Sequence, residues 1–106
     1  MSTTSTIRLN NGVELPQLGF GTIMQFGAQA SDNVAFALHN GYRLIDTANR
    51  YDNEEEVGRG LKQSGLRRED YCLETKLGPT LYETDSAVDD TLVRLGVDYL
   101  DVMLLH

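Results

Sequence analysis

Short apolar segments alternate with helical segments along this 106-residue chain, and that alternation constrains the fold more than any other feature. It predicts strands over residues 18–22, 42–46, 71–76 and 99–105, with helices between them. The strands read as continuous apolar runs, which is typical of a parallel sheet covered on both faces. The sequence therefore predicts an α/β fold built from β-α-β units.

Three helices are predicted between these strands, and the first two have start signals of their own. Ser31 is expected to cap the first helix. Asn53, with Glu56 three residues later, forms a capping-box pair at the start of the second. The third covers about residues 84–95 and is expected to bury Val88 and the two leucines that follow it at helical spacing.

A hairpin is predicted before the first strand. Asn11 and Gly12 lie between two alternating segments and favour a type I′ turn, in which both central residues take positive φ. Residues 1–6 contain neither a basic region nor an apolar stretch. They therefore do not resemble a signal peptide, and we expect them to be disordered.

Ionisable side chains close three of the predicted segments. Asp46, Lys76 and His106 each end an apolar run, and in a βα barrel the carboxyl ends of the strands form the active site. A doubly wound, dinucleotide-binding sheet is disfavoured, because Met24 stands where a G-x-G-x-x-G motif starting at Gly19 needs its third glycine. The pattern therefore favours a barrel preceded by a hairpin.

Composition argues against several other classes of protein. The net charge is −7 and the basic residues form no cluster, so we expect no nucleic-acid partner. No apolar run approaches the ~18 residues of a membrane span, so we expect no membrane partner. Cys72 is the single cysteine and cannot form an internal disulfide, which favours the cytoplasm. The acidic residues at 52–56 lie at a helix start, where acids are common, so no metal site is predicted.

One segment resembles a known family. Gly41-Tyr-Arg-Leu-Ile-Asp-Thr-Ala48, followed by Glu54 and then by Val57-Gly58, is similar to the signature of the aldo-keto reductase family. The later positions of Lys76 and His106 fit the order of that family. The family fold is a (β/α)8 barrel, which typically needs ~250 residues. The resemblance therefore implies that all 106 residues belong to the N-terminal half of one TIM-barrel domain, through strand 4.

The resemblance implies a reductase of aldehyde and ketone carbonyls that uses NADPH, with NADH as the alternative. Tyr51 would donate a proton to the carbonyl oxygen. A free tyrosine is a poor acid, with a pKa of about 10, and a nearby ammonium favours the phenolate. Lys76 would supply that ammonium, held in place by Asp46. His106 would donate a hydrogen bond that orients the carbonyl oxygen.

The resemblance also implies where the ligands would bind. The backbone of Gly21 and Thr22, together with Asp46, would contact the cofactor, since a glycine allows close approach to the backbone. Ile23, in the loop after the first strand, and His106 would line the pocket for a small-molecule carbonyl substrate.

Two other interpretations stay open at this point. One is a truncated, non-catalytic fragment, and the other is a regulatory or interaction module on the same fold. An isolated four-stranded half leaves two apolar sheet edges exposed. Self-association through these open edges is therefore expected if the fragment is expressed alone.

Overall fold

The fold begins with a hairpin and continues as alternating strands and helices. The computed structural model describes residues 5–106. The hairpin strands are β1 (Thr6–Arg8) and β2 (Glu14–Pro16). The elements that follow are β3 (Phe20–Gly21), α1 (Gly27–His39), β4 (Leu44–Asp46), α2 (Glu54–Gln63), β5 (Cys72–Leu77), α3 (Ala87–Leu95) and β6 (Val102–Leu105). Among the described residues, no helix combines the length and the apolar character needed to cross a bilayer.

Strands β3 to β6 form one parallel sheet in the order in which they occur along the chain. In the register of this sheet, Asp46 pairs with Gly21 on one side and with Glu74 on the other. The order contains no reversal, whereas a doubly wound sheet reverses its strand order at a switch point. The predicted α/β fold of parallel strands joined by crossover helices is confirmed.

The hydrophobic core lies between the sheet and the helices. Ile45 and Leu73 are fully buried and form the sheet's share of it. The helices contribute Val34, Leu38, Val57, Leu61 and Leu95. On β5, buried residues alternate with half-buried ones, and Glu74 and Lys76 belong to the half-buried set. Helices thus cover one face of the described sheet, in contrast to the expected burial of both faces.

Two glycines let α2 pack closely against its neighbours. A Cβ atom on Gly60 would lie 2.5 Å from the carbonyl oxygen of Ser31 on α1. A Cβ atom on Gly58 would lie 2.5 Å from the carbonyl oxygen of Leu95 on α3. Both distances are too short for real contacts, so the separations between α2 and the two flanking helices depend on the missing side chains.

Two of the local helix predictions are wrong. Helix α1 begins at Gly27, four residues before the expected cap, and the Ser31 hydroxyl donates to the carbonyl of Glu56 on α2 at 2.9 Å. Val88 is 44% exposed, and the buried face of α3 is formed instead by Ala87, Thr91 and Leu95. In both cases packing between helices decides which residues are capped or buried, and this packing cannot be seen in the local sequence pattern.

The hairpin forms, but its turn differs from the prediction. Gly12 takes a positive φ of 88°. Asn11 does not, because among the described residues only two that are not glycine have positive φ, namely Met24 and Asp52. The amide of Gly12 donates to the carbonyl of Leu9 at 3.0 Å, which gives a three-residue loop with its left-handed residue last.

The expected disorder of residues 1–6 is wrong at its last two positions. Thr6 begins β1, and the carbonyl of Ser5 accepts a hydrogen bond from the amide of Gln17 at 2.8 Å. The other four positions lie outside the described residues.

Candidate active site

The carboxyl ends of the four parallel strands meet at one edge of the sheet. Gly21 ends β3, Asp46 ends β4, and Lys76 is the next-to-last residue of β5. His106 follows β6 directly, and its amide donates to the carbonyl of Leu77 at 3.0 Å. The predicted strand-end residues therefore lie along the same edge.

Lys76 is the centre of the contacts at this edge. Its ammonium donates to both carboxylate oxygens of Asp46, each at 2.8 Å. It also reaches the carbonyl oxygen of Thr47 and the hydroxyl oxygen of Tyr51, each at 3.2 Å. The Lys76 side chain is only 16% exposed. The structure thus brings together three of the four predicted catalytic residues in direct contact.

The surroundings of Lys76 keep it charged. Burial by itself would lower the pKa of the ammonium, but the hydrogen bonds to Asp46 and Tyr51 outweigh burial, so that the pKa of Lys76 is raised. The ammonium also lies 5.0 Å from the centre of the Tyr51 ring. A fixed positive charge therefore stands beside the phenol oxygen and stabilises negative charge that develops there.

Glu74 is a site residue that the sequence reasoning missed. Burial raises the pKa of Glu74 from 4.5 to about 7, and the neighbouring carboxylate of Asp46 adds to the rise, against the opposing charge of Lys76. A signal was available in the sequence, since Glu74 lies two positions before Lys76 on a strand and so shares its face. What the spacing does not reveal is that Asp46 lies opposite on the neighbouring strand.

Tyr51 is held at the edge by a short 3-10 turn, Asn49–Tyr51, which follows β4. Asp52 leaves the turn with a left-handed φ of 57°. Asn53 then occupies the N-cap position of α2 but makes no capping hydrogen bond, so the predicted capping box with Glu56 is wrong.

The Asn53 side chain serves the site instead of the helix. Its amide nitrogen donates to the carbonyls of Thr22 and Gln25 at 2.7 and 2.8 Å, and its oxygen accepts from the Thr47 hydroxyl at 3.3 Å. Asn53 is 1% exposed. It therefore ties the loop after β3 to the loop after β4, a role that local helix-capping rules do not reveal.

His106 lies beside Tyr51 at the edge of the sheet. The two ring centres are 6.3 Å apart and the rings meet edge to face at 84°. His106 is exposed, and its backbone carbonyl accepts a hydrogen bond from the hydroxyl of Tyr82. The His106 ring is therefore exposed beside the phenol ring. His39, by contrast, lies away from this edge, where its ring contacts the carbonyl of Ser64 at 3.0 Å.

The residues predicted to contact cofactor and substrate lie in the first loop at the same edge. Gly21 is exposed, and an added Cβ atom would meet no atom within 4 Å, so its backbone can be approached from outside. Thr22 is fully buried, and its hydroxyl donates to the carbonyl of Asp46 at 3.1 Å. Ile23 is 59% exposed. The loop thus offers an open backbone and an apolar side chain beside the cluster around Lys76.

The sequential parallel sheet and the acid–base cluster at its carboxyl edge define a protein of the βα-barrel class with its site in the usual place for that class. The particular family follows from comparison with known proteins. The chain belongs to the Aldo/keto reductase family, whose sequence model matches residues 17–106.

Individual relatives agree with this assignment and with the barrel fold. The chain is 43% identical over 106 residues to an aldehyde reductase of Saccharomyces cerevisiae, covering 99% of this chain and 34% of the relative. It superposes on an aldo/keto reductase from Brucella melitensis with a TM-score of 0.92 at 42% identity, over 100% of this chain and 42% of that one. A Bombyx mori aldo-keto reductase in complex with NADP gives a TM-score of 0.90 at 32% identity, and the match covers 96% of this chain and 38% of that one. The chain therefore spans between 34% and 42% of the length of these proteins.

Proposed function

We propose that this chain carries the proton-delivery site of an NAD(P)H-dependent reductase of aldehyde and ketone carbonyls. The observation that supports this most directly is the contact of 3.2 Å between the Lys76 ammonium and the Tyr51 hydroxyl oxygen. Because that oxygen accepts a hydrogen bond from Lys76, the hydroxyl proton points elsewhere and is available to a substrate.

The reaction places a hydride on the carbonyl carbon and a proton on the carbonyl oxygen, which gives an alcohol. A reduced nicotinamide supplies the hydride and is itself oxidised. Tyr51 supplies the proton, and Lys76 stabilises the phenolate that remains. Asp46 holds the ammonium through two hydrogen bonds of 2.8 Å, so that it does not turn away when the phenol loses its proton.

His106 and the first loop orient the substrate. The imidazole lies beside the Tyr51 ring, from where it donates a hydrogen bond to the carbonyl oxygen and stabilises its developing negative charge. Ile23 supplies an exposed apolar wall for the rest of the substrate. The expected substrate is a small molecule with an aldehyde or ketone group.

The cofactor is NADPH, with NADH as the alternative. The backbone of Gly21 and Thr22, together with Asp46, would hold its nicotinamide end at the strand edge. The open space around Gly21 fits this role, and the Bombyx mori relative is known in complex with NADP. A reducing cytoplasmic compartment fits a chain whose only cysteine is Cys72.

Replacement of the proton donor tests this proposal in a complete barrel that contains these residues. Tyr51→Phe removes only the hydroxyl and is expected to lower the rate of aldehyde reduction by about 100-fold or more, the usual contribution of a general acid. Oxidation of NADPH is followed at 340 nm, and cofactor binding by fluorescence. Binding should persist because the phenol does not hold the cofactor.

Tyr42→Phe provides the matched control. Tyr42 contacts Phe20 edge to face, away from the carboxyl ends of the strands, and its loss of a hydroxyl should leave turnover unchanged. Full turnover in Tyr51→Phe, or an equal loss in both variants, would contradict the proposed role.

A further inference from the structure

Glu54, at the start of α2, is a buried carboxylate that the reaction itself does not use. It is 4% exposed and is the one charged residue buried among the described residues 5–106. Its carboxylate accepts hydrogen bonds from the Asn49 amide at 3.1 and 3.2 Å, the Thr75 hydroxyl at 3.1 Å and the Arg94 guanidinium at 2.9 Å. A buried charge is tolerated when it is paired and hydrogen-bonded in this way.

The partners of Glu54 connect two parts of the site. Asn49 begins the turn that carries Tyr51, and Thr75 directly precedes Lys76 on β5. Asn49 adds a second tie, because its side-chain oxygen accepts a hydrogen bond from the amide of Gly78 at 3.2 Å. The carboxylate therefore joins the element that carries the phenol to the strand that carries the ammonium.

The contact between these two elements is sensitive to small shifts. The Lys76 ammonium and the Tyr51 hydroxyl oxygen are 3.2 Å apart, at the long end of the usual range for an N–H···O hydrogen bond. A displacement of the turn by half an ångström away from β5 would largely abolish this bond. Misplacement of a reacting group by about 1 Å can cost about 100-fold in rate.

We propose that Glu54, charged and paired with Arg94, is a positioning residue that fixes the turn Asn49–Tyr51 against β5 and so sets the distance between the Tyr51 hydroxyl and the Lys76 ammonium. Its importance for rate rests on the proposed function, whereas its effect on that distance does not. Arg94 supports the carboxylate from α3 and also donates to the Thr91 hydroxyl at 3.2 Å.

The distance is tested first, by nuclear magnetic resonance in a complete barrel that contains these residues. Nuclear Overhauser contacts between the Tyr51 ring and the Lys76 side chain are compared in the wild type and in Glu54→Gln. We expect these contacts to weaken severalfold in Glu54→Gln, because a neutral amide holds Arg94 and Thr75 less well. Glu55→Gln is the matched control, since Glu55 is the exposed neighbour on the same helix and should leave them unchanged.

The rate is tested second, in a complete barrel. Glu54→Gln should lower kcat for aldehyde reduction about tenfold or more and leave the KM for NADPH within about twofold. If Glu54→Gln does not fold, Thr75→Val removes one of the hydrogen bonds, and Thr75→Ser, which keeps the hydroxyl, should restore both the contacts and kcat.

The outcomes separate this inference from the proposed function. Unchanged Tyr51–Lys76 contacts and unchanged kcat in a less stable Glu54→Gln protein would overturn the inference and leave Glu54 a purely structural residue. An equal loss in Thr75→Val and Thr75→Ser would do the same. A wild-type barrel without carbonyl reduction would overturn the proposed function, and the Tyr51–Lys76 contacts in that barrel would still decide the role of Glu54.

Discussion

At the scale of single residues, two carboxyl groups share the surroundings of one ammonium. Asp46 and Glu74 face each other on neighbouring strands, and Lys76 contacts Asp46 directly. Burial disfavours the charged form of Glu74 most, and the negative charge of Asp46 adds to this, so Glu74 keeps its proton to higher pH. The raised pKa of Glu74, about 7, is the result.

Glu74 makes stability depend on pH in a defined direction. Its pKa is raised from 4.5 to about 7 in the folded chain, so between these values the folded state binds more protons than the unfolded state. Stability therefore falls as pH rises through this window. In the wild type, the free energy of unfolding should fall by on the order of 1 kcal/mol across this window, after allowance for screening of a half-buried group by solvent. Glu74→Gln should remove this fall.

Urea unfolding at several pH values between 4.5 and 8 measures this slope. Glu83→Gln is the control, because Glu83 is exposed and should leave the slope as it is. A slope that is identical in the wild type and in Glu74→Gln would show that Glu74 does not keep its proton in the folded chain.

The sequence was informative about Asp46 and Lys76 for a physical reason, whereas the role of Tyr51 came from the family resemblance. A residue that ends an apolar run in a parallel sheet is placed at the carboxyl edge whatever its distant neighbours are. The charge state of Glu74 is different, because it depends on which residue the adjacent strand places opposite it. That register is a property of the folded sheet and is not contained in the local pattern.

At the scale of elements, the helix starts show the same limit. Ser31 and Asn53 have the side chains of good helix caps, yet each donates a hydrogen bond to a backbone carbonyl far away in the sequence. The Ser31 hydroxyl donates to Glu56, and the Asn53 amide donates to Thr22. Local rules place a helix and its buried face correctly in α2, where Val57 and Leu61 are buried. A polar side chain with a partner in another element, however, leaves its local role. Distant partners thus explain the misplaced start of α1.

The close packing of α1 and α2 gives a prediction at this scale. Gly60→Ala adds a Cβ atom 2.5 Å from the Ser31 carbonyl and 2.7 Å from the Val34 Cβ atom, so the helices must move apart. Such overpacking costs about 1–3 kcal/mol, which exceeds the gain of up to about 1 kcal/mol in helix propensity. Urea unfolding should therefore show a less stable protein.

Lys62→Ala is the control that tests whether the loss of stability depends on the contact between α1 and α2. Lys62 is exposed on the same helix, so its replacement should change stability by less than about 0.5 kcal/mol. Equal or greater stability of Gly60→Ala relative to the wild type would mean that α1 and α2 are not held at this distance.

At the scale of the whole molecule, the sheet has two open edges. β3 and β6 are the outer strands of the described sheet, and each pairs on one side only. On β6, Leu105 is 73% exposed and Leu104 is 42% exposed. An apolar strand with unpaired backbone groups is a template for another chain.

We therefore expect the 106-residue chain to self-associate through these edges when it is expressed alone. Light scattering coupled to size-exclusion chromatography at micromolar concentration should show species larger than a monomer. Leu105→Lys places a charge on the edge strand and should shift the population toward monomer, since charged residues on edge strands oppose pairing.

Val93→Lys distinguishes pairing at the sheet edge from association through exposed apolar surface elsewhere. Val93 lies on α3 and is 79% exposed, so it is as accessible as Leu105 but belongs to no sheet edge. If both lysine variants reduce association equally, apolar surface in general is responsible and the edge is not. If the wild-type chain is monomeric, the open edges do not drive association at all, and the alternative of an interaction module on this fold loses its support.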